Sequence, residues 1–279
     1  MKRGDIRVGV LRIEGTNSEE ESAACFRRLG AQAELVHLKQ FLRQDTWPGE
    51  ERNLSDYHVL FFPGGFSAGD YVRAGAIFAA RLKTGLAKDV KEYVSSGRLM
   101  IGVCNGFQIL TEAGLLPGMG DLVAAQPEAC LYTNDVGHYE CRPVHLKHVN
   151  RGKSAFTGKI KPGEVRTIQS AHGEGKFLLA PEGQERLLKE LEANDQIVFR
   201  YVTPEGDEQA GYPWNPNGAP GNVAAVCNRE GNVFGMMPHP ERVFYRHTHP
   251  DWTRTGLGDD VGDGRAVFES AIAYCERRF

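Results

Sequence analysis

The sequence lacks several features that would place it in familiar classes. No apolar run approaches the about 20 residues that a bilayer span needs. The opening MKRGDIRVGVLRIEG does not read as a signal peptide, because Asp5 and Arg7 interrupt it and no small-residue cleavage site follows. A cytoplasmic location is expected. No block of basic residues stands out: 33 Lys and Arg face 36 Asp and Glu, for a net charge of −3. That leaves no electrostatic footprint for nucleic acid or for an anionic membrane. The six cysteines (25, 104, 130, 141, 227 and 275) form no Cys-x-x-Cys pair, so a zinc site of that type is not expected and reduced thiols are the default. No G-x-x-x-x-G-K-[ST] loop is present, and GGFSAGD (64–70) lacks the lysine that would reach a phosphate. Internal repeats and low-complexity tails are absent as well. His145 and His148 fall on an alternating strand and should face opposite sides, so no shared metal is expected there. His247, His249 and Asp251 read as solvated loop side chains, and no metal site is assigned.

What is present is a chain of 279 residues, 41% hydrophobic and 25% charged. This is enough for one large domain, taken here as residues 1–279. IRVGVLRI (6–13) reads as a buried strand. Ser18 and Glu21 have capping-box spacing for a helix whose apolar face is Cys25, Phe26 and Leu29, with Gly30 as its stop. AELVHL (33–38) is the next strand, so the chain opens β-α-β with a parallel pair. Residues 43–57 read as a loop and 58–65 as a strand running into glycines. A helical stretch over 75–95 is expected in two pieces around Gly85. LMIGV (99–103) is a strand, and Phe107–Ala113 a helix. This alternation predicts an α/β fold: an open, mostly parallel sheet with helices on both faces, flavodoxin-like. After about residue 120 the rhythm changes. YECRPVHLKHV, EVRTIQSA, QIVFRYV and NVAAVCN are strand candidates, NREGNVFGMM a hairpin, and GRAVFESAIAYCERRF a closing helix. Additional antiparallel strands are therefore expected in the second half.

Gly102-Val103-Cys104-Asn105-Gly106 stands where the strand turns into the helix. Glycines two positions either side permit the close backbone approach of a nucleophile elbow, with thiol in place of hydroxyl. A helix N-terminus there favours the thiolate, and the N–H of Asn105 is placed as one oxyanion donor. A nucleophile needs a base. In MMPHPERV (236–243) the prolines should hold the chain extended, so that His239 and Glu241 share a face and the carboxylate orients the imidazole. FFPGGFSAGDY (61–71) is a second glycine turn following a strand, from which Gly64 or Gly65 could supply the other oxyanion donor.

These pieces together resemble the triad (class I) glutamine amidotransferases. PGGFSAGDYVRAG, GVCNGFQIL, AHGEGKF, NPNG and GNVFGMMPHPER resemble, in family order, the glutaminase subunits of phosphoribosylformylglycinamidine synthases (the PurQ-like family). The resemblance implies Cys104 as nucleophile, His239 as general base and acid, and Glu241 as its orienter. It implies Gly65 and Asn105 as oxyanion donors, Gln108 as a glutamine contact, and His172 and Glu174 on a loop facing the partner. It further implies glutamine as substrate and no cofactor in this chain. ATP and Mg belong on a PurL-like synthetase large subunit, joined in part of the family by a small PurS-like subunit. Ala68 stands where the family often has tyrosine, and Ala219 where serine often follows NPNG. The loops 43–56 and 246–264 are longer than in the compact form of the family. Open alternatives are an amidotransferase subunit of another pathway, a non-catalytic regulatory subunit, and a cysteine-elbow hydrolase or chaperone. The last typically carries an acidic residue before the elbow and lacks His-x-Glu near the C-terminus.

Overall fold

Residues 59–62, Val-Leu-Phe-Phe, are buried on both sides. Phe61 meets Phe26 edge-on with ring centroids 5.8 Å apart and stacks on Phe268, while its neighbour Phe62 meets Phe78 at 5.9 Å. Successive strand side chains point to opposite faces. A strand apolar at every position must therefore be covered by helices on both sides, and Phe26 and Phe268 lie on different helices from Phe78.

The computed structural model of the protein describes residues 1–254 and 260–279. Its first half alternates β1 (Arg7–Arg12), α1 (Glu19–Arg28), β2 (Gln32–His37), the short α2 (Leu38–Leu42), β3 (Val59–Phe62), α3 (Ala76–Ser95), β4 (Leu99–Val103) and α4 (Asn105–Glu112). Then come β5 (Ala129–Thr133), β6 (Glu140–His148), β7 (Val165–His172), β8 (Glu174–Leu179), α5 (Gln184–Ala193) and β9 (Ile197–Val202). The hairpin strands β10 (Val223–Cys227) and β11 (Val233–Met236) follow, and α6 (Arg265–Arg278) closes the chain. The strands form a nine-stranded sheet in the order β2-β1-β3-β4-β11-β10-β9-β6-β7, with β5 and β8 as a separate pair. The run from β2 to β11 is parallel and every pairing beyond it is antiparallel. The α/β architecture expected from the sequence is present, extra antiparallel strands included.

Two local expectations differ from what forms. α3 is one continuous helix through Gly85, where a Cβ would lie 2.1 Å from Leu42 Cδ2. That glycine makes room for the neighbouring α2 segment and does not break its own helix. Ser18 stands at the N-cap of α1, but its side chain makes no capping bond; its Oγ accepts a bond from Arg242 Nη2 at 3.4 Å. Part of the expected 246–264 loop, residues 255–259, lies outside the described residues. Among the described residues no helix is long and apolar enough to cross a membrane.

Topology places the site. β3, β4 and β11 are parallel neighbours, with Gly102 in register with both Phe62 and Gly235, and Val103 with Met236. Parallel strands end at the same sheet edge, so the turns after 62, 103 and 236 emerge side by side. β7 is the far strand in pairing order, yet Gln169 O accepts a bond from His239 N at 2.7 Å. The antiparallel extension therefore curls back over that edge.

Candidate active site

Cys104 is the hinge between β4 and α4. Its φ of 53° and ψ of −109° place a non-glycine residue in sparsely populated backbone space, as a strained elbow requires. Both flanking glycines are needed sterically. A Cβ on Gly102 would lie 2.3 Å from Gly106 O, and one on Gly106 would lie 1.8 Å from Phe62 O. Cys104 N donates to Met236 O at 2.8 Å, which ties the corner to β11. The thiol is nearly buried and its Sγ lies 3.5 Å from Ala171 O. Asn105 is the first residue of α4, so its N–H has no helical acceptor and is free to serve as a donor at the corner.

His239 and Glu241 are buried, with His239 Nδ1 2.5 Å from Glu241 Oε1. They meet differently from the extended arrangement expected. Only His239 is extended; Pro240–Val243 is a 3-10 turn with Pro240 at its first position, where the ring's fixed φ suits helix initiation. The turn, rather than strand alternation, brings the carboxylate beside the imidazole. Burial disfavours the charged imidazole, but the Glu241 carboxylate, aided by Cys104, outweighs it and pushes His239 up to about 10. With Nδ1 engaged by Glu241, Nε2 has no hydrogen-bond partner among the described residues and is the nitrogen left for the thiol. Gly64 leaves room for this ring: a Cβ there would sit 2.6 Å from His239 Cε1 and 3.4 Å from Cys104 Cβ. Gly65, at φ 141°, lines the cavity over Cys104, with its own Cβ position blocked by Asn17 N at 2.6 Å.

The cavity joins residues that the sequence keeps far apart. Cys104, His239, Gly65, Gln108, His172 and Glu174 all line it. Glu241 stands behind His239. Gln108 lines it with both polar ends engaged: Nε2 donates to Glu174 O at 2.6 Å and Oε1 accepts from Asn105 Nδ2 at 3.0 Å. The bond to Glu174 ties α4 to β8.

The expected partner loop has a different setting. His172 ends β7, Glu174 begins β8, and only Gly173 separates the strands. His172 is buried against the cavity, with Nδ1 3.1 Å from Asn134 Oδ1, so it does not sit on an exposed loop. Burial, with the nearby His239, pushes its imidazole down to about 4. Glu174 Oε2 accepts a bond from Ala74 N at 3.2 Å.

Asp70 stands inside GGFSAGDY, where the glycines and not the carboxylate carry the sequence signal. It lines the same cavity, accepts a bond from Asn105 Nδ2 at 3.3 Å, and is raised to about 6 by burial and by the Glu174 charge. No motif marks Asn134, and only the β7–β8 junction brings it to His172. Elsewhere, His145 Nδ1 lies 3.1 Å from Thr167 Oγ1 and His148 Nδ1 3.2 Å from Lys161 O.

Residues 5–275 match the CobB/CobQ-like glutamine amidotransferase domain family. The phosphoribosylformylglycinamidine synthase subunit PurQ of Archaeoglobus fulgidus is 47% identical over 279 residues, covering 99% of this chain and 100% of the relative. The subunit of the same name from Picrophilus torridus is 45% identical, covering 94% of this chain and 96% of the relative. Among solved structures, a chain of PurLQS from Thermotoga maritima superposes with a TM-score of 0.71 at 30% identity, covering 97% of this chain and 99% of that one. The glutaminase domain of the Trypanosoma brucei CTPS, at 13% identity and a TM-score of 0.52, shares the fold.

Proposed function

The chain belongs to the CobB/CobQ-like glutamine amidotransferases and, within them, to the family of phosphoribosylformylglycinamidine synthase PurQ subunits, and from this membership we infer its reaction. It hydrolyses glutamine to glutamate and ammonia as the glutaminase subunit of phosphoribosylformylglycinamidine synthase, in purine biosynthesis. It works in a complex with PurL and PurS subunits, as in the Thermotoga maritima PurLQS assembly. The ammonia converts formylglycinamide ribonucleotide to formylglycinamidine ribonucleotide, with ATP and Mg used on the synthetase subunit. We read residues 1–279 as one glutamine amidotransferase domain and place the protein in the cytoplasm.

The observation that carries the site assignment is the strained Cys104 corner beside a buried His239–Glu241 pair. His239 holds the proton given up by the thiol, as an imidazolium beside Glu241, and the Cys104 sulfur attacks the carboxamide carbon of glutamine as thiolate. Backbone N–H groups of Gly65 and Asn105 hold the oxyanion, each such donor contributing roughly 3–4 kcal/mol to the transition state. His239, kept basic and oriented by Glu241, returns its proton to the nitrogen as ammonia leaves. It then takes a proton from water, which cleaves the glutamyl thioester and releases glutamate. Gln108, on the cavity wall, contacts the bound glutamine while its bond to Glu174 holds α4 against β8.

The test is glutamate release from glutamine by the assembled complex carrying wild-type or Cys104→Ala chain. Loss of glutamine-dependent synthesis with ammonia-dependent synthesis retained is the expected result. Equal glutaminase activity in both forms would remove Cys104 from the chemistry and leave a regulatory subunit of the same fold.

A further inference from the structure

Asn134 fixes the protonation of His172. Its Nδ2 donates to His138 O at 3.1 Å and to His172 O at 2.8 Å, and its Oδ1 accepts from Gly175 N at 3.2 Å. Two carbonyls and one N–H leave no freedom to exchange the amide's ends. The His172 nitrogen 3.1 Å from Asn134 Oδ1 must therefore be the donor, Nδ1–H. The imidazole is neutral near pH 7, since burial holds it down at about 4. Nε2 then carries a lone pair and no proton, and it is buried without any partner among the described residues. The ring lies flat over Gly175, where a Cβ would come within 2.4 Å of Nδ1 and Cε1 and 2.8 Å of Nε2. One cavity thus holds two imidazoles driven in opposite directions, His239 protonated beside a carboxylate and His172 neutral beside an amide.

We propose that His172 Nε2 is the acceptor for an N–H of the glutamine carboxamide and of the ammonia formed from it. This rests on the glutaminase reading and adds a positioning residue to it. A lone buried acceptor needs a donor, and an uncharged N–H suits it. A cation is better met by the carboxylates of Asp70 and Glu174 on the same cavity. The assignment also has a chemical consequence. With Nδ1–H committed to Asn134 and Nε2 bare, His172 orients the leaving nitrogen without supplying a proton that would trap it as ammonium.

The experiment compares wild type, His172→Leu and His172→Gln in the assembled complex, by two readouts. One is kcat/KM for glutamine. The other is the rate at which Cys104 is alkylated by 5-chloro-4-oxo-L-norvaline, a glutamine analogue with no carboxamide N–H; the sulfur–carbon bond forms and chloride leaves. His172→Leu is expected to lose about tenfold or more with glutamine while alkylation stays within about threefold of wild type. His172→Gln, which can give its NH2 to Asn134 Oδ1 and keep an oxygen acceptor, is expected to recover most of the loss. A parallel fall in both readouts, unchanged glutamine turnover in His172→Leu, or no difference between the two variants would each overturn the assignment. Wild type that neither releases glutamate nor is alkylated would instead overturn the glutaminase reading.

Discussion

His239 Nδ1 and Glu241 Oε1 stand 2.5 Å apart, both residues buried. Two residues separated by one proline form a buried ion pair beside Cys104. Their coupling is what lifts an imidazole that burial alone would depress.

Replacing the carboxylate tests that coupling. In Glu241→Gln the amide keeps the shape but removes the charge, so the His239 titration should move down from about 10, as read by imidazole NMR. Glutamine turnover should fall by about 10³–10⁴, the scale seen when a triad carboxylate becomes an amide. The stability effect has a definite sign. A folded value raised above 6.5 means that the pair's stabilisation is full below pH 6.5 and is lost as pH rises towards 10. The wild type should therefore lose melting temperature over that window more steeply than Glu241→Gln. Equal slopes would mean that Glu241 does not hold the proton on His239.

Two glycines separate folding from chemistry. A Cβ on Gly64 would press on the His239 ring and the Cys104 Cβ, at 2.6 and 3.4 Å, whereas one on Gly106 would collide with the Phe62 backbone at 1.8 Å. Gly64→Ala should fold and lose about 10²-fold in kcat through a misplaced imidazole. Gly106→Ala should lose several kcal/mol of stability, because two backbones must separate. Thermal melts alongside glutaminase assays check this. A Gly64→Ala protein with full activity would show that the ring position is not critical.

Burial, with the nearby Glu174 charge, raises Asp70 to about 6, so near pH 7 its charged form strains the folded state. For a carboxyl raised above 3.8, stability falls as pH climbs from 3.8 through 6. Asp70 is only half-buried, which discounts the effect to about 1 kcal/mol. Asp70→Asn should raise the melting temperature at pH 7 but not at pH 4, and should lower kcat/KM for glutamine. A variant no more stable at pH 7 would mean that burial and Glu174 do not disfavour the charged Asp70 carboxylate.

The parts of this protein that were legible in the sequence share a property: their cause is local. The β-α-β opening follows from short apolar runs separated by a helical period and a glycine stop at Gly30. The elbow follows from Gly102 and Gly106 bracketing Cys104, since glycine at both positions points to backbones in contact. Gly85 shows the limit. A glycine inside a helix reads as a break until the Leu42 side chain that occupies its missing Cβ is seen. His172 shows it again. AHGEGKF reads as a glycine-rich loop, but Gly173 joins two strands and Gly175 gives the imidazole a surface to lie on.

The sequence by itself determined the α/β class, the thiol corner and the presence of a histidine and a glutamate suited to serve it, because each is written in contiguous residue types and their spacing. The tertiary structure decided which residues share the cavity. Parallel pairing of β3, β4 and β11 brings Gly65, Cys104 and His239 to one edge, and the curl of β7 delivers Ala171 and His172 on top of them. Spacing along the chain carries no information about such meetings. They depend on strand order and register, which are set by how the whole buried core packs.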